Sequence, residues 1–359
     1  MVNLFSNYKN NPRRSLAGDL MPLILGAAIL LILAFALLRL YVSTTRAMIG
    51  LNGEQKCYFY IHTGSDFNSV RDSLVKKGYL RHPRDFEWLA RRKHYNDKVR
   101  AGRYLLTEGM TNAALVNMLR AGKQEPLRVT IQNLRNPQEL AGLLGRHLEV
   151  DSSRLARLFN DNGYLAKFGS SPATVFTLFI PNTYEFFWNT SGDQLMTRMA
   201  FEYKRFWSPL RRQKADSMGM TIPEVVTMAS IVEKESNKND EKPVIAGVYI
   251  NRLKKHIPLQ ADPTVIFAWN DFTIRRVLKL HTQLNSPYNT YVNTGLPPGP
   301  ICLPSIASID AVLHAQPHAY LYFCAREDFS GYHNFAGTLD EHNRNARRYQ
   351  HALDMRKIK

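Results

Sequence analysis

The 359-residue sequence predicts an α+β protein: an N-terminal transmembrane helix, a small α+β module, then a larger, mainly helical domain with short strands. Three observations predict it. From Leu20 to Leu38 no charged residue appears. Over residues 54–125 two β-rich runs alternate with short, capped helical patterns. From residue 126 onward, apolar residues recur mostly at helical spacing, interrupted by a few short β-rich runs.

Nineteen uncharged residues at about 1.5 Å each span roughly 28 Å, close to the hydrocarbon thickness of a bilayer. A buried soluble helix would show a polar face, and this run has none. It is also longer than the ~7–15-residue apolar region of a cleaved signal peptide, and Arg39 and Tyr41 follow it directly. An uncleaved anchor over residues 20–42 is therefore expected. Lys9, Arg13 and Arg14 precede it and favour a cytoplasmic segment 1–19, although Arg39 and Arg46 lie on the other side. Everything beyond about residue 43 then lies outside the cytoplasm, at the cytoplasmic membrane.

In the module over 54–125, Cys57–Ile61 reads as a strand ending at a turn around Gly64. Asp66 or Ser69 can cap a helix through Leu74, Val75 and Leu80. Phe86, Trp88 and Leu89 mark a second helix, and Ala101–Leu106 a second strand. Thr111 opens a last helix with Ala114, Leu115, Met118 and Leu119 on one face, closed by Gly122. From Pro126 to Ile131 a strand restarts. Residues 137–200 read as helical except around 179–186. From 221 the pattern is helix, loop, helix, a long Pro/Gly-rich loop, a short strand and a final helix.

Hydrophobic residues make up 45% of the chain, enough for a sizeable core. The net charge of +17 suits a nucleic acid, a membrane surface or an anionic polymer. The basic residues are scattered, with mild clusters at Arg91, Arg92 and Lys93 and at Arg344, Arg347 and Arg348. That scatter, and the exported position, argue against nucleic acid. Cys57, Cys302 and Cys324 form no Cys-x-x-Cys pair, so neither a disulfide framework nor a zinc site is implied. Cys324 reads as a small buried hydrophobe. His314 and His318 are four apart, but Pro317 interrupts them and no acid completes a ligand set, so no metal is expected. Nucleophile-elbow, phosphate-loop and dinucleotide signatures are absent.

The chemistry points to one helix. Thr221, Pro223 and Glu224 form a capping box with proline in the first turn. Ile222, Val225, Ala229, Val232 and Ser236 then recur at helical steps and form a buried face. Glu233 and Glu235 close this helix, about 200° apart around its axis, on opposite flanks of that face. The helix dipole disfavours negative charge there, so two acids are out of place if stability alone is served. Two further segments accompany them. Asp262, followed by Pro263, reads as a helix cap. The loop 288–300 is dense in amide, hydroxyl and aromatic groups stiffened by prolines, a surface suited to sugar hydroxyls and ring faces. Spacing alone does not choose between Glu233 and Glu235. His333 and His342 are further candidates for contact with a substrate.

These segments together resemble the endolytic murein transglycosylases of the YceG-like family. The resemblance is carried by Ala229–Ser236, Leu259–Val265, Tyr288–Pro300, Pro181–Tyr184 and the closing stretch His333–Asn343, in order and at matching spacing. Asn182 stands where the family usually has aspartate, and Ala261 occupies a variable slot. The resemblance implies a LysM-like module over 54–125 and a lysozyme-like catalytic domain over 126–359. It implies a lyase that cleaves the β-1,4 bond between N-acetylmuramic acid and N-acetylglucosamine, leaves 1,6-anhydromuramoyl ends, and so ends the growth of glycan strands. It selects Glu235 as the catalytic acid. It assigns Ser236, Gln260, Asp262, Thr264, Asn289, Thr290, Tyr291, Tyr184 and His333 to substrate binding. No cofactor is implied. The implied partners are peptidoglycan glycan strands, the cytoplasmic membrane and, as candidates, peptidoglycan synthases. A muramidase hydrolysing the same bond and a non-catalytic wall-binding scaffold are the alternative classes. Product mass separates the first, and binding without new chain ends the second.

Overall fold

The computed structural model describes residues 16–45 and 49–356. Lys9, Arg13, Arg14 and Arg46, and most of the expected cytoplasmic segment, lie outside the described residues. Helix α1 (Leu16–Thr45) carries the apolar run, and its stretch Met21–Val42 is long and apolar enough to cross a membrane. Its leucines and isoleucines from Leu23 to Leu38 are exposed, unburied by protein, which is compatible with a single-pass membrane anchor.

The chain divides into two compact units between Glu125 and Pro126. In the first, β1 (Lys56–Ile61) pairs antiparallel with β2 (Gly102–Thr107), in register from Lys56 opposite Thr107 to Ile61 opposite Gly102. The alternation buries Phe59, Ile61, Tyr104 and Leu106 on one face. Three helices supply the rest of that core: α2 (Phe67–Lys76), α3 (Pro83–Arg92) and α4 (Asn112–Ala121). Asp66, not Ser69, caps α2 by accepting the Ser69 N–H. Helix α2 ends before Leu80, which instead forms a bridge with Ile49. Thr111 caps α4 through the Ala114 N–H, and Gly122 closes it in the left-handed region at φ 66°. The buried face of α4 is Leu115, Val116 and Leu119. Ala114, expected there, is exposed, because the face rotates toward Val116.

The second unit has two cores. The first is built on β3 (Leu127–Ile131), which pairs antiparallel with β4 (Asn182–Phe186), in register from Leu127 opposite Phe186 to Ile131 opposite Asn182. Around this pair lie α5 (Pro137–His147), α6 (Ser152–Asn160), α7 (Asn162–Ala166) and α8 (Gly192–Phe206). The second core gathers α9 (Pro209–Ser217), α10 (Ile222–Glu235), α11 (Lys242–Lys254), α12 (Asp262–Trp269) and α13 (Ile306–Leu313). A hairpin of β5 (Tyr322–Ala325) and β6 (His333–Ala336) and the last helix α14 (Leu339–Met355) complete it. Cys324 lies in β5 and is half-buried, since this two-stranded hairpin is covered incompletely.

Helix α10 is the centre of this second core. Both arms of its capping box form: Thr221 accepts the Glu224 N–H, and the Glu224 carboxylate accepts the Thr221 N–H. Every residue from Val225 to Val232 is buried, not only the single stripe read from the spacing. Neighbouring helices cover it on several sides, so only its two ends can present polar groups to solvent or ligand.

Candidate active site

The last turn of α10 carries Glu233 and Glu235 into two different surroundings. The Glu233 carboxylate accepts hydrogen bonds from Lys242 Nζ at 3.1 Å and Ser305 Oγ at 2.6 Å, and also from Ser308 Oγ. Burial pushes its pKa up. The two hydroxyls and the lysine outweigh that and hold it below the ordinary glutamate value. It is an ionised structural group tying α10 to α11 and α13.

Glu235 faces the other way, into a cavity of about 340 Å³. Its Oε1 accepts a hydrogen bond of 2.5 Å from the Tyr249 hydroxyl on α11. It keeps some surface open to the cavity but is otherwise ringed by protein. Burial raises its pKa from 4.5 to about 7, the Tyr249 hydroxyl opposes this, and the Asp262 charge adds to it. A carboxyl poised near neutrality can give and take a proton, as an acid–base catalyst must.

Arg252, Gln260, Asp262, Tyr291, Tyr322 and His342 line the same cavity. One helical turn after Tyr249, Arg252 donates from Nη2 to Gln260 Oε1 at 2.6 Å and from Nε to the Pro258 carbonyl at 3.0 Å. Gln260 lies in the left-handed region at φ 50°, unusual for a residue with a side chain. Its N–H bonds to the Thr290 carbonyl at 3.0 Å, which fastens that turn to the loop 288–300. Asp262 does not cap α12: Ala261 occupies the cap position with no side-chain bond. The Asp262 carboxylate instead accepts the Tyr291 hydroxyl at 2.5 Å, across the cavity wall. Burial pushes the His342 pKa down, with Arg252 adding to this, so its ring stays neutral against Tyr322. His342 Nδ1 has no hydrogen-bond partner among the described residues.

Of the residues assigned from the sequence, Glu235, Gln260, Asp262 and Tyr291 come together at the cavity. Others stand one layer behind it. The Thr264 and Thr290 hydroxyls bond each other at 2.8 Å, and Thr290 also accepts the Ala261 N–H. Fully buried Asn289 donates to the carbonyls of Thr282 and Leu284 and accepts the Tyr291 N–H, so it holds the loop that aims Tyr291. Ser236 caps α10 and donates to Glu241 at 3.2 Å. His333 bonds the same carboxylate through Nδ1 at 2.7 Å, and its ring packs edge-on against Phe323 in the cavity wall. Tyr184 lies elsewhere, in β4. Its hydroxyl donates to the Ile180 carbonyl at 2.6 Å, and it borders a separate cavity with Glu202 and Arg211. Tyr249, Arg252, Tyr322, Phe323 and Leu339 had no signal as site residues in sequence. Only the Tyr249–Arg252 spacing, one turn apart on α11, hints that they share a face.

The YceG-like family pattern matches residues 59–348. The chain is 28% identical over 305 residues to the endolytic murein transglycosylase of Bacillus subtilis, covering 80% of this chain and 83% of that protein. It is 27% identical over 336 residues to the endolytic murein transglycosylase of Streptococcus pneumoniae, where it spans 60% of the relative's length and 85% of its own. Among solved structures, a YceG-like protein from Listeria monocytogenes is similar, with a TM-score of 0.53 and 28% identity over 81% of this chain and 99% of that one.

Proposed function

Because the chain belongs to the YceG-like family, we propose that it is a membrane-anchored lytic transglycosylase that cuts peptidoglycan glycan strands internally, at the N-acetylmuramic acid–β-1,4–N-acetylglucosamine bond. It is an enzyme of the lyase class, and peptidoglycan is its substrate. The single observation that carries the site assignment is the Glu235 carboxyl, set in the floor of a polar cavity with its pKa raised to about 7.

In this reading protonated Glu235 gives its proton to the leaving glycosidic oxygen as the C1–O bond breaks. The C6 hydroxyl of the same muramoyl residue then attacks C1, and the ionised glutamate accepts the proton that this hydroxyl loses. A 1,6-anhydromuramoyl end results and no water is consumed, so a second carboxylate to activate water is not required. The substrate's acetamido group and the Asp262 carboxylate stabilise the positive charge at C1. Tyr249 steadies Glu235 once ionised, and Arg252 and Gln260 orient sugar hydroxyls. Ser236, Thr264, Asn289, Thr290 and His333 act as positioning residues.

Residues 54–125 serve as a LysM-like module and 126–359 as a lysozyme-like catalytic domain. The N-terminus lies in the cytoplasm with the catalytic domain outside. Cleavage there ends nascent strands, which brings peptidoglycan synthases into reach as partners. Mass spectrometry of the ends released from purified wall tests the reaction. Anhydro ends are expected. Products heavier by one water would replace the lyase with a muramidase, and binding without new ends would leave a scaffold.

A further inference from the structure

A second cavity, of about 630 Å³, lies in the same unit. Although the chain carries a net charge of +17, no charged side chain among the described residues lines this cavity. Its wall offers four side-chain amides, from Asn136, Gln138, Asn160 and Asn270, and the rings of Phe267 and Tyr288, whose centroids are 4.8 Å apart. Two of the amides are occupied: Asn136 caps α5 and Asn160 donates to the Ala156 carbonyl. The exposed amides of Gln138 and Asn270 make no side-chain hydrogen bond to the described residues.

The two cavities share walls. Helix α12 begins with Asp262 at the first and ends with Phe267 and Asn270 at the second. Eight steps of about 1.5 Å put these ends roughly 12 Å apart, about the reach of two or three pyranose rings. The loop 288–300 likewise gives Tyr291 to the first and Tyr288 and Pro300 to the second. Unoccupied amides beside half-exposed rings, without charge, match a neutral N-acetylated sugar: amides meet hydroxyl and acetamido groups, and ring faces meet C–H faces. A lipid phosphate or the carboxylates of a peptide stem would find no countercharge there.

We propose that this cavity is a distal saccharide site, which holds uncleaved N-acetylated sugars of the strand whose scissile bond sits at Glu235. The inference rests on the glycan-cleaving reading above. It gives a physical basis for internal cutting, because a strand is held best when it is long enough to fill both cavities.

The test is binding to the full-length Glu235→Gln protein, with peptide-free glycan strands of graded length as the probe. Strands long enough to cover both cavities should bind roughly tenfold more tightly than fragments that fill only the first, the yield of one or two extra hydrogen bonds. Combining Gln138→Ala with Asn270→Gly should remove this gain. Alanine suits the exposed first turn of α5, and glycine keeps the left-handed backbone at residue 270. Should the glycine lower the melting temperature, Gln138→Ala alone should remove about half of the gain on a logarithmic scale. A length effect that survives both variants, or the absence of any length effect, overturns the proposal. Failure of the lyase reading shows separately, in the wild-type protein, as hydrated products or no new ends.

Discussion

On one flank of the last turn of α10, Glu233 meets an ammonium group and two hydroxyls; on the other, two residues later, Glu235 meets one phenol and an open cavity. The side chains are the same, and both are withdrawn from bulk water. Where burial is answered by donors and a cation, the carboxylate stays charged and braces three helices. Where it is answered by a single hydroxyl with Asp262 nearby, the charge is costly and the proton is retained to about pH 7. Burial alone therefore does not bring a carboxyl's pKa near neutrality; burial with too few compensating donors does.

The largest expected effect sharpens this contrast directly. Glu235→Gln should lower formation of anhydro ends by about 10²–10⁴-fold with the fold intact, the range for loss of a general acid. Glu233→Gln should cost far less activity while lowering the melting temperature, because Lys242 is left buried without its counter-ion. Equal losses of activity, or a greater loss at Glu233, would break the assignment.

The next effect is on stability as a function of pH, and the two acids should act with opposite sign. The folded pKa of Glu235 is raised, so the folded state holds its proton more tightly than the unfolded chain. Stability should fall as pH rises from 4.5 to about 7, by on the order of 3 kcal/mol from this group. The folded pKa of Glu233 is lowered. Its contribution is present above the unfolded value near 4.5 and is lost as pH falls through the folded value. Urea denaturation between pH 2.5 and 8 should therefore show a flatter neutral limb in Glu235→Gln, and a weaker acid-side dependence in Glu233→Gln. Parallel curves for the two variants would remove the distinction.

A smaller contrast repeats the theme in the loop 288–300. Asn289→Ala should reduce stability by about 2 kcal/mol, since it orphans two carbonyls and the Tyr291 N–H, and any activity change should follow from the slackened loop. Tyr291→Phe removes only the bond to Asp262, so it should change turnover several-fold while moving the melting temperature little. Thermal melts and initial rates on the same preparations check both. Loss of stability in Tyr291→Phe matching that in Asn289→Ala would make both residues loop supports.

Much of this was legible along the chain. The apolar run of α1, the strand pair over 56–107, the cap at Thr111 with its stop at Gly122, and the capping box of α10 each depend on local rules of length, alternation and turn chemistry, which act within a few residues. Local rules misplace what long-range contacts decide. Asp262 and Pro263 look like the start of a helix cap, yet Asp262 is drawn to Tyr291, twenty-nine positions away, and leaves the cap to Ala261. Asn289 reads as one sugar-binding amide among several. Its burial, which turns it into a loop staple, is set by the carbonyls of Thr282 and Leu284. Tyr184, part of a family-like segment, faces a different core because strand pairing with β3 fixes its side.

By itself, the sequence determined the long apolar first helix, the elements up to the Pro/Gly-rich loop in outline and the helix that ends in two glutamates, since periodicity and caps are written in neighbouring residues; it did not separate α13 or the second strand of the closing hairpin, whose pairing is long-range. The tertiary structure decided which glutamate is which. The 200° between them only sends them apart. It is the packing of α11 and α13 against α10 that brings Lys242, Ser305 and Ser308 to one and Tyr249 to the other, and a pKa depends on those neighbours in space rather than on neighbours in the chain.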